Sequence, residues 1–253
     1  MHSKLRRNSI NGLKSISLFK AVFNIAIMCL DFARLFAKTR ISKPVSIVIG
    51  DSHAHFLLRG GKKLKPFTLI DGKHLLIWVG PKLLYSVSNR GFGFNRITKT
   101  LLKNSSSGQP FVIILGEIDC RVHFVPNNLQ NGVKDFQKIA YSFRTSILEM
   151  QKDFGFGSAI ILSPVPPSDI GNDNPYFPRN GTLDERVTVT RLITEALDEL
   201  SSPEFWVVNL GEILATDIGD LNSTYTDDGV HVNSIGASKI LKSIPLFMEA
   251  NKG

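Results

Sequence analysis

Ser46-Ile47-Val48-Ile49-Gly50-Asp51-Ser52-His53 is a β-branched run that stops at a glycine, with a serine two residues later. In an α/β sheet that position lies just past the carboxyl end of a strand, at the start of a helix, where ligand-facing groups collect. Near the other end of the chain stands Asp227-Asp228-Gly229-Val230-His231-Val232-Asn233. A serine hydroxyl is a weak nucleophile at neutral pH. It needs a base within hydrogen-bond reach, and the base needs a group that fixes its tautomer. His231 can be the base. Asp228, three residues earlier in a short loop, can fold back on Nδ1 while Nε2 faces the serine. The candidate groups Ser52, Asp228 and His231 thus occur in the order Ser…Asp…His.

Between these two blocks the chain alternates strand-like and helix-like segments. Short, mostly continuous apolar runs at Val45–Gly50, His74–Val79, Phe111–Gly116, Ser158–Leu162 and Phe205–Leu210 read as buried parallel strands. Helical periodicity covers Ile97–Lys103, Val133–Phe154 and Asp184–Leu200, and a last helix begins near Ser234, a good cap, and runs to about Met248. The alternation predicts an α/β fold, a three-layer αβα sandwich on a flavodoxin-like five-stranded parallel sheet of order 2-1-3-4-5, with an N-terminal helical extension. Residues 1–43 form the leader and 44–253 the domain. Four strands end in polar or glycine-rich punctuation on one edge of the sheet: Gly50-Asp51-Ser52, Gly80-Pro81, Gly116-Glu117-Ile118-Asp119-Cys120-Arg121, and Ser163-Pro164 with the Asn/Asp/Pro-rich stretch to Gly181. That edge is the expected site. Trp78 and Trp206 fall in strands and are expected in the core.

These blocks, in this order and about 180 residues apart from first to last, resemble the SGNH (GDSL-like) hydrolase superfamily over the chain from about residue 45 onward. The resemblance implies Ser52 as nucleophile, His231 as general base and acid, and Asp228 as its orienting partner. It also implies acyl transfer to water through an acyl-enzyme, with no metal and no cofactor. The family's oxyanion donors are the serine N–H, a glycine N–H in the second block, and an asparagine amide in the third. Gly80 is the best match for the glycine; Gly91 and Gly93 are rivals. The third block departs from the pattern, because Ile118 stands where the asparagine belongs. Losing one oxyanion donor costs about 2.7–4 kcal/mol, roughly 100- to 1000-fold in rate. Arg121 is the candidate replacement, with Glu117 holding it or the two binding substrate. Asp119 and Arg121 can also form a structural ion pair. His53 and His55 read as packing groups or metal ligands, and Cys120 as a small buried residue.

The net charge of +8 is unevenly spread. Residues 1–43 hold nine Lys/Arg and one acid, whereas 44–253 hold 21 of each sign. The domain is therefore neutral and nothing in its charge points to nucleic acid. From Leu18 to Ala37 the leader is mostly apolar, with Lys20, Asn24, Asp31 and Arg34 on one helical stripe. Three readings stand: a helix packed on the domain or a partner, an interfacial helix giving peripheral membrane contact, or a span or signal anchor. Two cysteines, Cys29 and Cys120, make no disulfide framework, which favours a reducing, cytoplasmic setting.

The leading expectation is hydrolysis of a small-molecule or carbohydrate ester, the polar 164–182 segment favouring an O-acetylated carbohydrate. Acyl transfer to another acceptor is open. Two other readings compete. One is a non-catalytic binding protein, motivated by Ile118. The other is a metallophosphoesterase, motivated by Asp51-Ser52-His53 read as Asp-x-His after a strand.

Overall fold

The computed structural model describes residues 32–59, 65–71, 73–128, 132–171 and 175–244. The chain divides into two units at Ser42 and Lys43. In the first, residues 32–41 are helical. Most of the apolar leader stretch, residues 18–31, and Cys29 lie outside the described residues. No described helix is long and apolar enough to cross a membrane.

The second unit is built on six strands among the described residues: β1 (Ser46–Gly50), β2 (Phe67–Ile70), β3 (His74–Trp78), β4 (Phe111–Ile114), β5 (Ala159–Leu162) and β6 (Phe205–Val208). Their order is β2-β3-β1-β4-β5-β6. The five parallel strands β3-β1-β4-β5-β6 keep the expected 2-1-3-4-5 order. The sixth, β2, pairs antiparallel with β3 at the edge and is absent from the sequence reading. Its signal was the Asp71-Gly72 pair, a strong hairpin turn. Asp71 takes a positive φ of 50° and Lys73 N–H donates to Ile70 O at 2.9 Å across the turn.

Every residue of β1, β4 and β5 is buried, so both sheet faces are covered. Side chains alternate between faces along each strand. Val48, Leu76, Val112, Ile160 and Leu162 belong to one core with α1 (Ser52–Arg59), α6 (Leu210–Leu214) and α7 (Ser234–Ser243). The longer helices on the chain between them are α2 (Leu84–Arg90), α3 (Arg96–Ser105), α4 (Val133–Phe154) and α5 (Leu183–Asp198). Here α2 packs on α4 and α4 on α5, forming the second layer. Phe136 and Phe143 of α4 and Phe205 of β6 are fully buried. Each contributes about 1.5–3 kcal/mol through burial. Trp206 is not in the core as expected. It lies on the edge strand β6, 37% exposed, where no further strand covers it.

Two local features set the site. At Gly50 a Cβ would lie 2.6 Å from Ile114 Cγ2 and 2.8 Å from Ala54 Cβ. Only glycine lets α1 turn back this closely over β1 and β4. The second feature is the start of α2. Its N-cap residue Leu83 offers no capping side chain. Asp119, far along the chain, accepts from Leu84 N–H at 2.7 Å and Tyr85 N–H at 3.2 Å and caps the helix from outside. Burial pushes the Asp119 carboxyl up to about 7, against the two amide bonds that favour its ionised form.

Gly50→Ala is expected to lower unfolding stability by about 1–3 kcal/mol, read as a lower urea midpoint at unchanged slope. A second expectation concerns pH. The unfolded chain releases the Asp119 proton near the ordinary value of about 3.9, the folded chain only near 7. Between these the folded state binds more protons, so the contribution of this group to stability falls as pH rises. Asp119→Asn does not titrate. The stability of wild type relative to the variant is therefore expected to decline across that window in paired urea titrations.

Candidate active site

Asp51, not Ser52, caps α1: its Oδ1 accepts from His53 N–H at 2.9 Å. That leaves the Ser52 hydroxyl for other work at the first residue of the helix. Asp51 is 1% exposed, and burial raises its carboxyl pKa despite neighbouring His53.

The loop after α6 brings the other two groups. Asp228 is held by backbone: Oδ1 accepts from Val230 N–H at 2.8 Å and His231 N–H at 2.7 Å. Its Oδ2 lies 2.8 Å from His231 Nδ1. Against an aspartate, Nδ1 carries the proton, so Nε2 presents a lone pair. Nε2 lies 2.9 Å from Ser52 Oγ. Partial burial alone would raise Asp228, but the hydrogen bonds from His231 and Val230 outweigh it and hold the carboxyl far below its usual range. Neighbouring Asp227 instead accepts from Asn233 Nδ2 at 3.1 Å. Asn233, one residue before the expected Ser234, caps α7 through Ile235 N–H and Gly236 N–H.

The loop carrying Asp228 is backed by the 163–181 stretch. A Cβ at Gly229 would fall 1.9 Å from Ile170 O, and one at Gly171 would fall 2.4 Å from Asp228 O. Arg179 donates to the carbonyls of Ile170 and Gly171, and Arg186 pairs with Asp169. Arg179 thus braces Ile170 and Gly171 from within the stretch and Arg186 ties Asp169 to α5, while the Gly171–Gly229 close approach sets it against the histidine loop.

The remaining candidates sort differently from their expected roles. Gly80 follows β3 with φ +75°. Gly50 pairs with Trp78, and Val79 N–H donates to Gly50 O at 2.9 Å, so Gly80 leaves the sheet at the same edge as Asp51 and Ser52. The rival Gly91 is spent as the C-cap of α2. Asp119 forms no pair with Arg121; it caps α2 and is 0% exposed. Arg121 is committed elsewhere than to an oxyanion. Its Nε lies 2.5 Å from Glu117 Oε1, Nη2 lies 3.2 Å from Oε2, and Nη1 donates to Phe177 O at 2.5 Å. Ile118 is buried. Cys120 is buried, which pushes its thiol up and away from nucleophilic use.

The sequence reads His53 as a packing group or a metal ligand. Its Nε2 lies 3.3 Å from Glu117 Oε2, and its ring sits against His231 with centroids 5.0 Å apart. Its place directly after Ser52 was the available signal. Asp51 Oδ1 is used in capping α1, and His53 Nε2 is turned to Glu117. Among the described residues no cluster of three or more His, Cys, Asp or Glu suits a metal ion. A cavity of about 520 Å³ lined by Pro110, Ser158, Pro203 and Trp206 lies at the amino ends of β4–β6, the edge opposite Ser52.

No protein-family model and no curated protein sequence matches this chain significantly. Solved structures do. A GDSL-like lipase from Bacteroides thetaiotaomicron superposes with a TM-score of 0.52 at 16% identity, over 87% of this chain and 98% of that one. An acylhydrolase candidate from Bacteroides fragilis gives a TM-score of 0.51 at 14% identity, over 84% and 93%. At such identity the likeness speaks for architecture alone: the chain has the fold of the SGNH, or GDSL-like, hydrolases.

Proposed function

We propose that this protein is a serine hydrolase that cleaves an ester through Ser52, His231 and Asp228. The observation that carries the reading is the unbroken line Asp228 Oδ2–His231 Nδ1, 2.8 Å, and His231 Nε2–Ser52 Oγ, 2.9 Å. Both fold neighbours are named for acyl-ester chemistry, which agrees with it.

In this reaction Ser52 Oγ attacks the ester carbonyl carbon while its proton passes to His231 Nε2. The carbonyl oxygen takes the electron pair and becomes the oxyanion. Asp228 stabilises the imidazolium so formed. His231 then gives the proton to the departing alkoxide, leaving an acyl-serine. Water, deprotonated by His231, reverses the sequence and releases the acid. The oxyanion forms at the start of α1, where the Ser52 N–H and the positive helix end favour it. The Gly80 N–H is the proposed second donor. With Ile118 in the third block and Arg121 tied to Glu117, this hole is built from backbone alone. A slower enzyme than one with a side-chain donor follows, by up to about 100- to 1000-fold. The polar, proline-rich 163–181 stretch beside the histidine loop suits a small, hydrophilic ester such as an O-acetylated sugar better than a long acyl chain.

The missing amide also supports a second reading, a binding protein that retains the triad without turnover. A fluorophosphonate probe and a short-chain nitrophenyl acetate separate the two. Hydrolysis and an adduct at Ser52 located by mass spectrometry are expected. Ser52→Ala and His231→Ala should each reduce kcat by at least about 10⁴-fold. Absence of both adduct and turnover in the folded wild-type chain would sink the hydrolase reading. Asp228→Asn is expected to keep the fold but hold the wrong tautomer, lowering kcat by about 10³–10⁴-fold. Its KM for the same ester should change little.

A further inference from the structure

Behind Ser52 and His231 runs a second string of buried polar groups that ester cleavage does not use. His53 is 1% exposed and Glu117 is 7% exposed. Glu117 takes Arg121 on both oxygens and His53 Nε2 on one of them; Arg121 in turn is fastened to Phe177 O. Burying such charges costs several kcal/mol per ion, and apolar residues of similar volume are often no less stable. Stability alone is thus a poor reason for the string.

Its geometry offers another. The His231 side chain is 21% exposed and its Asp228 partner 50% exposed. Asp228 at Nδ1 and Ser52 at Nε2 hold the two ring nitrogens in line. Packing against the face of the ring restrains its tilt as well, and the His53 ring lies there with centroids 5.0 Å apart. The His53 ring has its own need for an anchor. Its Nδ1 finds no partner among the described residues, so its polar tie is the one to Glu117. The charged and titratable groups facing His53 are Asp51 from the end of β1, Glu117 and Arg121 from the exit of β4, and His231. Burial lowers the His53 pKa, but the carboxylates of Asp51 and Glu117 outweigh it and raise it overall.

We propose that Glu117 is a positioning residue: it anchors His53, and the His53 ring holds His231 in the orientation that points Nε2 at Ser52. The consequence for rate rests on the hydrolase reading; the orientation of His231 does not.

The test uses the full chain and two readouts, histidine ring NMR signals at fixed pH and steady-state hydrolysis of nitrophenyl acetate. In Glu117→Gln the ring signals of both His53 and His231 are expected to move, although Glu117 bonds only the former. The His53 titration should shift to lower pH as it loses one carboxylate. The kcat should fall about 10- to 100-fold, the scale of a small misplacement, with KM within about threefold. His53→Ala should produce the same loss, and adding Glu117→Gln to it should cost no more than about twofold further, since the two act as one unit. Equal losses from Glu117→Gln with and without His53, or unmoved His231 signals, would overturn the proposal. If Glu117→Gln does not fold, unchanged kcat and His231 signals in His53→Ala overturn it alone. If the wild-type chain hydrolyses no ester, displaced His231 signals still support the positioning, and only the hydrolase reading falls.

Discussion

The site depends on one close approach. At the end of β1, Gly50 lets Ile114 of β4 and Ala54 of α1 occupy the space a side chain would take. That crowding sets where α1 begins, and therefore where Ser52 and His53 stand above the carboxyl ends of two adjacent parallel strands. From the same point the β4 exit carries Glu117 under His53. The serine and the polar groups behind it thus share one pivot. The histidine arrives independently, on a loop pinned by the 163–181 stretch.

Much of this was legible as pattern. Buried strands write continuous apolar runs, so five of them and their order could be read, and α4 spans Val133–Phe154 as expected. Ser52, Asp228 and His231 were legible because each sits at an element boundary with fixed local geometry. The elements that escaped obey longer-range causes. Helix α2 is a serine- and asparagine-containing segment whose cap comes from Asp119, so no local start signal exists. Strand β2 is short and lies at the edge, and its Asp71-Gly72 turn went unread. The fate of Arg121 was also illegible: a guanidinium after a strand looks available until Glu117 and the Phe177 carbonyl are seen to hold it.

The third block shows how one segment divides its labour. Glu117 turns to His53, Asp119 to the start of α2, Arg121 to the 163–181 stretch, and Ile118 stays in the apolar interior. Three alternate positions, 117, 119 and 121, thus act as fasteners between different parts of the molecule.

Of those fasteners, Asp119 has the widest reach. The turn from Gly80 to Leu83 enters the helix that Asp119 caps, and it leaves the strand that pairs with β1. The Gly80–Leu83 backbone is therefore held at one end by sheet register and at the other by a carboxylate from a different crossover. With an acidity near neutral, that carboxylate changes from a group that can accept at both oxygens to one that keeps a proton. The Gly80 turn is thus tied to the rest of the molecule through a buried carboxylate whose acidity burial weakens.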